Sequence, residues 1–401
     1  MAANYSCRLG IKSNYFFSKK IINVCTLWAN VPKVTDYKYC FMDAYYFMAL
    51  VSIVLSIVLP CKTNKQSVIK LIIVLFPLFI FGALRVDFGN DYAGYEESFE
   101  YFHSLGLLSI DSEAHAEFGY QILCQILPSY RSLLVLNALI LCLALGIILY
   151  KCVPQEYIWL ALLLIFLNPE KNIYGNLVGI RNGLVVTCFI IGFVYFLQKR
   201  KYKEFAVLTM LLYTIHTSTI FFLPIAYFVG NDGIMTKKEI QIWSFVAIVL
   251  LCFSMSDIIN IVSPIISTHF DRYEGYIDDM GDGHRGTLIV LTNLVFIYGL
   301  IYTLYKNSNS LSRNENSLYR LGLLYLFFSF IGSLSMRASY FYDIFFILTI
   351  VSIFSDKRNP VVLRYGLLLL AIIVPYYSMF IVWMGSQWWN HDVYHSLIGD
   401  W

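Results

Sequence analysis

The sequence predicts an all-α fold, a polytopic bundle of membrane-crossing helices. Three observations carry that prediction. Mean hydropathy is +0.64, and charged residues make up 14% of the 401 residues, where a soluble domain carries about 25%. Several apolar runs reach the roughly 20 residues that cross a bilayer as a helix. The apolar/polar alternation of a membrane β-barrel is absent, which leaves helices, because each satisfies its own backbone hydrogen bonds in lipid. A net charge of +3 gives no sign of a nucleic-acid partner.

The elements follow in order. Residues 1–41 hold six basic residues and only short, interrupted apolar patches, without a signal-peptide layout. They read as an N-terminal extension, either a start-site misassignment or a weakly ordered segment, because "MDAYYFMALVSIVLSIVLP" from Met42 reads as a natural start. The apolar segments then run at about 43–60, 68–84, 132–150, 157–168, 176–197, 204–229, 240–262, 287–305, 318–335, 338–354 and 362–383. The segment 204–229 contains the polar break "YTIHTST" and divides into two short helices, which gives about twelve crossings. No internal repeat or linker interrupts residues 42–401, which form a single transmembrane domain.

Lysine and arginine in short loops set the orientation. The turns near 61–70, 198–203, 237–238, 306–320 and 356–364 are basic and belong in the cytoplasm. The loop 85–131 has no lysine and eight acids (Asp87, Asp91, Glu96, Glu97, Glu100, Asp111, Glu113 and Glu117), and the loop 263–286 is also lysine-free and acidic. Both belong outside. Dividing 204–229 is what keeps Lys237 and Lys238 inside and puts His216 at an outer turn. The nine cysteines show no CxxC or Cys/His spacing, so neither a disulfide framework nor a zinc site is expected. No Gly-rich phosphate loop or DxD metal motif is present, and no cofactor is expected.

Ionisable groups at membrane-helix ends are costly and point to function. On the predicted outer side they are Arg85, Asp87 and Asp91 after the second apolar segment, and Glu117 and Tyr120 in "EFGYQIL". Arg181 lies one turn into "NLVGIRNGLVV", His216 in the break, Arg272 in "HFDRYEGY", and Arg337 with Tyr340 in "SMRASYFYDIFF". Arginine stays charged and binds phosphate oxygens with a planar fork. Each residue also has a plainer reading. Arg85 fits an interfacial anchor, Asp91 a turn former after Gly89-Asn90, and Tyr120 an amphipathic helix. His216 fits a group that satisfies freed backbone, Arg272 and Arg337 fit structural ion pairs, and Tyr340 an aromatic belt. Arg181 is the hardest to read this way, since an arginine in an apolar helix needs an anionic partner.

Arg85-x-Asp87-x-Gly89-x-Asp91-Tyr92 with Tyr95, then Glu117-x-Gly119-Tyr120, Arg181, His216-x-Ser218 with Pro224, Arg272-Tyr273 and Arg337 ahead of Tyr340 together resemble the EpsG family of Wzy-like bacterial polysaccharide polymerases. The resemblance covers about residues 42–401. It implies a GT-C-like, metal-independent glycosyltransferase, multi-pass in the bacterial cytoplasmic (inner) membrane. Such an enzyme joins oligosaccharide repeat units carried on undecaprenyl diphosphate, as donor and acceptor, at the outer face. Membrane lipids and a chain-length regulator are the other candidate partners. In that frame Arg85, Arg181, Arg272, Arg337, Tyr92, Tyr120 and Tyr340 are substrate-binding candidates, and His216, Asp87, Asp91 and Glu117 are candidates for the base. An O-antigen ligase on the same lipid carrier is the nearest alternative. A flippase or transporter fits less well, since polar groups gather at one face, and so does an acyltransferase with a cytosolic donor.

Overall fold

The computed structural model describes residues 40–89, 91–114, 116–219, 223–224, 226, 236–252, 287–307, 310–330, 339–377, 395–396 and 399–400. The expectations for residues 1–39, for the loop 263–286 and for Arg272 and Arg337 lie outside these. The described residues form an all-α protein. Helices α1 (Cys40–Val58), α2 (Asn64–Leu84) and α5 (Tyr130–Cys152) pack together, with α3 (Tyr92–Ser104) and α4 (Phe118–Ile126) inserted between α2 and α5. Then come α6 (Ile158–Leu167), a π-helical turn (Glu170–Tyr174), the short α7 (Gly175–Val178), α8 (Ile180–Gly192) and a second π turn (Phe193–Leu197). The rest is α9 (Tyr202–Tyr213), α10 (Lys237–Cys252), α11 (Thr287–Asn307), α12 (Arg313–Phe330), α13 (Asp343–Ser355) and α14 (Val361–Tyr377).

Local sequence explains the main boundaries. Thr63 caps α2 with a capping box, its hydroxyl accepting from Gln66 N–H at 3.2 Å while Gln66 Oε1 accepts from Thr63 N–H at 3.1 Å. Ser129 caps α5 by accepting from Ser132 N–H at 3.2 Å. Three described stretches are long and apolar enough to cross a bilayer: Asn64–Leu84, Tyr130–Cys152 and Ile180–Leu197. Large apolar side chains such as Phe47, Leu50, Val58, Ile72, Phe76, Leu143, Met210 and Val362 stand exposed on the helices. Exposed apolar surface of that extent suits contact with lipid. The interior carries small polar groups instead, among them Ser52, Thr187, Thr303 and Thr349, each buried, as in helix interfaces within membranes.

Three features depart from the sequence reading. The acidic loop 85–131 folds into α3 and α4 around a second core of Tyr92, Phe99, Phe102, Tyr120, Cys124 and Tyr130, closed by Ile180 and Leu184 of α8. The apolar run 176–197 is broken at Gly179, whose ψ of 71° leaves helical geometry. Helix α12 starts at Arg313, five residues before the apolar run, because Ser312 caps it. The Ser312 hydroxyl accepts from Glu315 N–H at 3.3 Å while Glu315 Oε2 accepts from Ser312 N–H at 2.7 Å, and Arg320 lies buried against Glu239 of α10 at 3.1 Å.

Side chains brace the irregular backbone on the approach to Gly179. Asn137 Nδ2 donates to Asn176 O at 2.9 Å, Asn176 Nδ2 to Asn172 O at 2.8 Å and Asn172 Nδ2 to Asn168 O at 3.1 Å. Irregular backbone at membrane depth is tolerated only with such partners. At the far end of the chain, the strand Arg85–Val86 (β1) pairs antiparallel with His395–Ser396 (β2), which pairs with Gly399–Asp400 (β3). The C-terminal segment is thereby tied to the mouth of α2.

Candidate functional site

The site forms where α4 begins, where α8 begins and where α9 ends. Helix α9 closes with His216 N–H on Leu212 O at 2.9 Å, and the chain turns through residues 214–218 before resuming helix at Thr219. The expected break in 204–229 is therefore present. Thr219 Oγ1 and N–H both reach His216 O, at 2.9 and 3.2 Å, which fixes the turn.

Glu117, at the N-cap of α4, lies against this turn. Gly119 N–H donates to Thr214 O at 2.7 Å. A Cβ on Gly119 would lie 2.2 Å from Thr214 Oγ1 and 2.8 Å from Thr214 O, so only glycine permits the approach. Glu117 Oε1 then accepts from Thr217 N–H at 3.2 Å and Thr217 Oγ1 at 3.3 Å, with His216 Nδ1 at 3.2 Å. Its other oxygen, Oε2, accepts from Arg181 Nη1 at 2.7 Å. The three side chains are neither sealed nor solvated, at 10% exposure for Glu117, 17% for His216 and 26% for Arg181. Burial pushes the Glu117 carboxyl up, but the His216 hydrogen bond and the Arg181 charge outweigh it and hold the group at about 2.

This geometry sorts the roles of the three groups. An ionised carboxylate only accepts, so His216 Nδ1 must be the donor to Glu117, which leaves Nε2 as the acceptor nitrogen of the neutral ring. Arg181 is held from its other side by aromatic faces, its Cζ 5.9 Å from the Tyr95 ring centroid and 5.6 Å from that of Tyr120. Ser218 Oγ lies buried next along the chain, without a hydrogen-bond partner among the described residues.

The other sequence candidates sit elsewhere. Arg85 is 1% exposed, and its guanidinium donates to Gly82 O at 2.6 Å and Leu177 O at 2.7 Å. It thus braces the broken segment that leads into Arg181. Arg131 supports it, donating to Ala83 O at 3.0 Å and Arg85 O at 2.7 Å. Asp87 is exposed at φ 46° and Gly89 follows at φ 93°, so both belong to the turn that leads to Asp91 at the start of α3. Tyr92 is buried edge-on to Tyr130, with ring centroids 5.2 Å apart. Tyr340 is half-buried ahead of α13. The residues that sequence reasoning missed are Thr217, which completes the Glu117 cradle, and Tyr95 as a platform for Arg181. Thr217 stood inside the polar break, and Tyr95 followed the Arg85 motif, but no local pattern told that its ring would face Arg181.

A profile of the EpsG family matches residues 67–393. The chain belongs to the EpsG family. This is a Wzy-like polysaccharide polymerase family, and the match takes in every element of the Glu117, Arg181 and His216 cluster as well as the Arg85 turn. No curated protein and no solved structure matches the chain. Membership makes this EpsG protein a membrane polysaccharide polymerase with lipid-linked glycan substrates.

Proposed function

We propose that this EpsG protein polymerises oligosaccharide repeat units carried on undecaprenyl diphosphate, at the outer face of the bacterial cytoplasmic membrane, with His216 as the base and Arg181 on the diphosphate. The observation that carries the reading is one carboxylate, Glu117, shared between Arg181 and His216. A base oriented by a carboxylate and an arginine fixed beside it are the two groups a glycosyl transfer from a diphosphate requires. His216 Nε2 takes the proton from the acceptor sugar hydroxyl as that oxygen attacks the anomeric carbon of the donor. The bond from the anomeric carbon to the diphosphate oxygen breaks, and the diphosphate leaves with the electron pair. Arg181, already oriented by Glu117 and the two tyrosines, meets the developing negative charge without reorganising.

Glu117 in this reading orients the base and is not the base itself, because a carboxyl held at about 2 is a poor proton acceptor. The charge on the leaving group is met by a guanidinium, so the proposed reaction is metal-independent. Arg272 and Arg337 are the candidates for the second phosphate or the sugar, and Tyr340 for sugar contact. Arg85 acts one step back, through the segment that presents Arg181.

The test is a gel of surface glycan from a host strain lacking this chain, complemented with wild type, Arg181→Ala or His216→Ala at matched membrane abundance. Restoration of a polymer ladder by wild type alone, with single repeat units in both variants, supports the assignment. A normal ladder retained on the lipid carrier in the deletion strain points instead to a ligase. A ladder restored by both variants removes the two residues from the chemistry.

A further inference from the structure

A second polar site lies at the opposite end of α2 from Arg85. Lys70 sits about 9 Å along the helix from Asn64 and about 22 Å short of Arg85, at 1.5 Å per residue. It is 6% exposed overall, and among the described residues it makes no hydrogen bond or ion pair. Lys70 lines a cavity of about 320 Å³ together with Ser56, Ile57, Gln155, Glu156 and Trp159.

The lining has a consistent chemistry. Gln155 Oε1 is taken by Cys61 Sγ at 3.3 Å, which leaves its Nε2 donors without a protein acceptor. The Trp159 indole N–H also makes no hydrogen bond among the described residues. A cation and two N–H donors therefore line one space, and among the described residues none of them is paired. An anionic oxygen placed among the three accepts from all of them, one of those bonds being charge-assisted. Glu156, on the same cavity, is exposed and forms no ion pair. The site thus carries a positive inner wall and a negative rim.

We propose that this cavity binds the headgroup of an aminophospholipid from the leaflet opposite the Glu117 site, with the phosphate on Lys70, Gln155 and Trp159 and the ammonium toward Glu156. Two features favour a lipid over a free phosphate. Ile57, in the cavity wall, is 61% exposed on the lipid-facing surface, and Val58 beside it is 70% exposed, which gives an acyl chain a surface to follow. Trp159 is the residue type that settles at headgroup level. Exposed Lys62, Lys65 and Lys151 stand at the same end of the bundle, where they draw phosphate-bearing headgroups. The rim carboxylate then selects a headgroup with an ammonium over one without.

The full chain, purified in detergent, is titrated with dioleoyl-phosphatidylethanolamine, dioleoyl-phosphatidylglycerol, soluble glycerophosphoethanolamine and inorganic phosphate, and bound adducts are counted by native mass spectrometry. The expected result is a saturable phosphatidylethanolamine adduct that Lys70→Met weakens about tenfold or more, the loss of a charge-assisted contact. Glu156→Gln lies at an exposed position that folding tolerates, and it brings phosphatidylethanolamine down to the level of phosphatidylglycerol. If Lys70→Met does not fold, Trp159→Phe replaces it and is expected to weaken binding several-fold. Equal binding of the two lipids by the wild type overturns the proposal. So does phosphatidylethanolamine binding indifferent to Lys70 or Trp159, or saturation by phosphate or the free headgroup at the same concentration.

Discussion

Replacing Glu117 with glutamine preserves shape and tests whether the carboxylate works through His216. The structure gives Glu117 one oxygen for Arg181 at 2.7 Å and one for His216 and Thr217 at 3.2–3.3 Å. A glutamine can keep an acceptor on one side only, and its NH2 then faces a donor on the other. The loss is that of one charge-assisted hydrogen bond, about 1.5–3 kcal/mol, which at about 1.4 kcal/mol per decade is a rate reduction of about 10- to 100-fold. His216→Ala removes the proposed base and is expected to cost about 10²–10⁴-fold. Once the imidazole is gone, orienting it has no value, so the double variant falls short of the product of the single effects by about tenfold or more. The assay is polymer formed per minute by detergent-purified protein on lipid-linked repeat units extracted from a polymerase-deficient strain. Single effects that multiply to within about twofold, the margin expected of independent sites, would refute the claim that Glu117 acts on His216.

Gly119→Ala forces a Cβ within 2.2 Å of Thr214 Oγ1, so activity is expected to collapse with about 1–3 kcal/mol of overpacking strain, read as a lowered thermal transition. Arg85→Ala removes a charged donor from two buried carbonyls, Leu177 O keeping only the longer Asn137 Nδ2 bond at 3.3 Å, and is expected to cost about 3 kcal/mol of stability, seen as early loss of fluorescence-detected monomer on heating. Arg181→Ala is expected to abolish polymer while shifting the same transition less, since Glu117 keeps its His216 and Thr217 contacts. For pH, the Glu117 carboxyl is held at about 2, below its ordinary 4.5. Its stabilising contribution is therefore complete above about 4.5 and lost as pH falls toward 2. Wild type is expected to lose its thermal transition over that window more steeply than Glu117→Gln, and parallel curves would count against the ion pair.

Much of the fold was legible because membrane helices are written in long apolar runs, and the segments at 68–84, 132–150 and 287–305 needed only a few residues added at their ends. The break at His216 was legible too, since polar residues in the middle of an apolar run have a backbone consequence. The collapse of residues 85–131 onto a core of their own was not. Tyr92, Phe99 and Phe102 recur at helical spacing, but the partners that bury them, Tyr130 and Leu184, are far along the chain. At the site, the residue types could be read but not their pairing. Glu117 is 64 residues from Arg181 and 99 from His216, and no local pattern encodes which of several outer acids meets which cation.

Arg85 and Arg181 show why residue type alone does not assign a role. Both are arginines at the outer ends of apolar segments, and both are costly to bury. Arg85 lies at 1% exposure with its fork on backbone carbonyls of α2 and of the broken segment at Leu177. Arg85 and the three asparagines brace the irregular backbone on the approach to Gly179, two residues before Arg181. Arg181 enters α8 from the brace, remains 26% exposed and points its charge at a carboxylate that also holds the imidazole. The buried arginine makes the irregular backbone affordable, and the irregular backbone sets the position of the exposed one. The proposed transfer from a lipid-borne diphosphate needs that second arginine rigid before substrate arrives, because rigidity is what lets a fixed charge favour the transition state over the ground state.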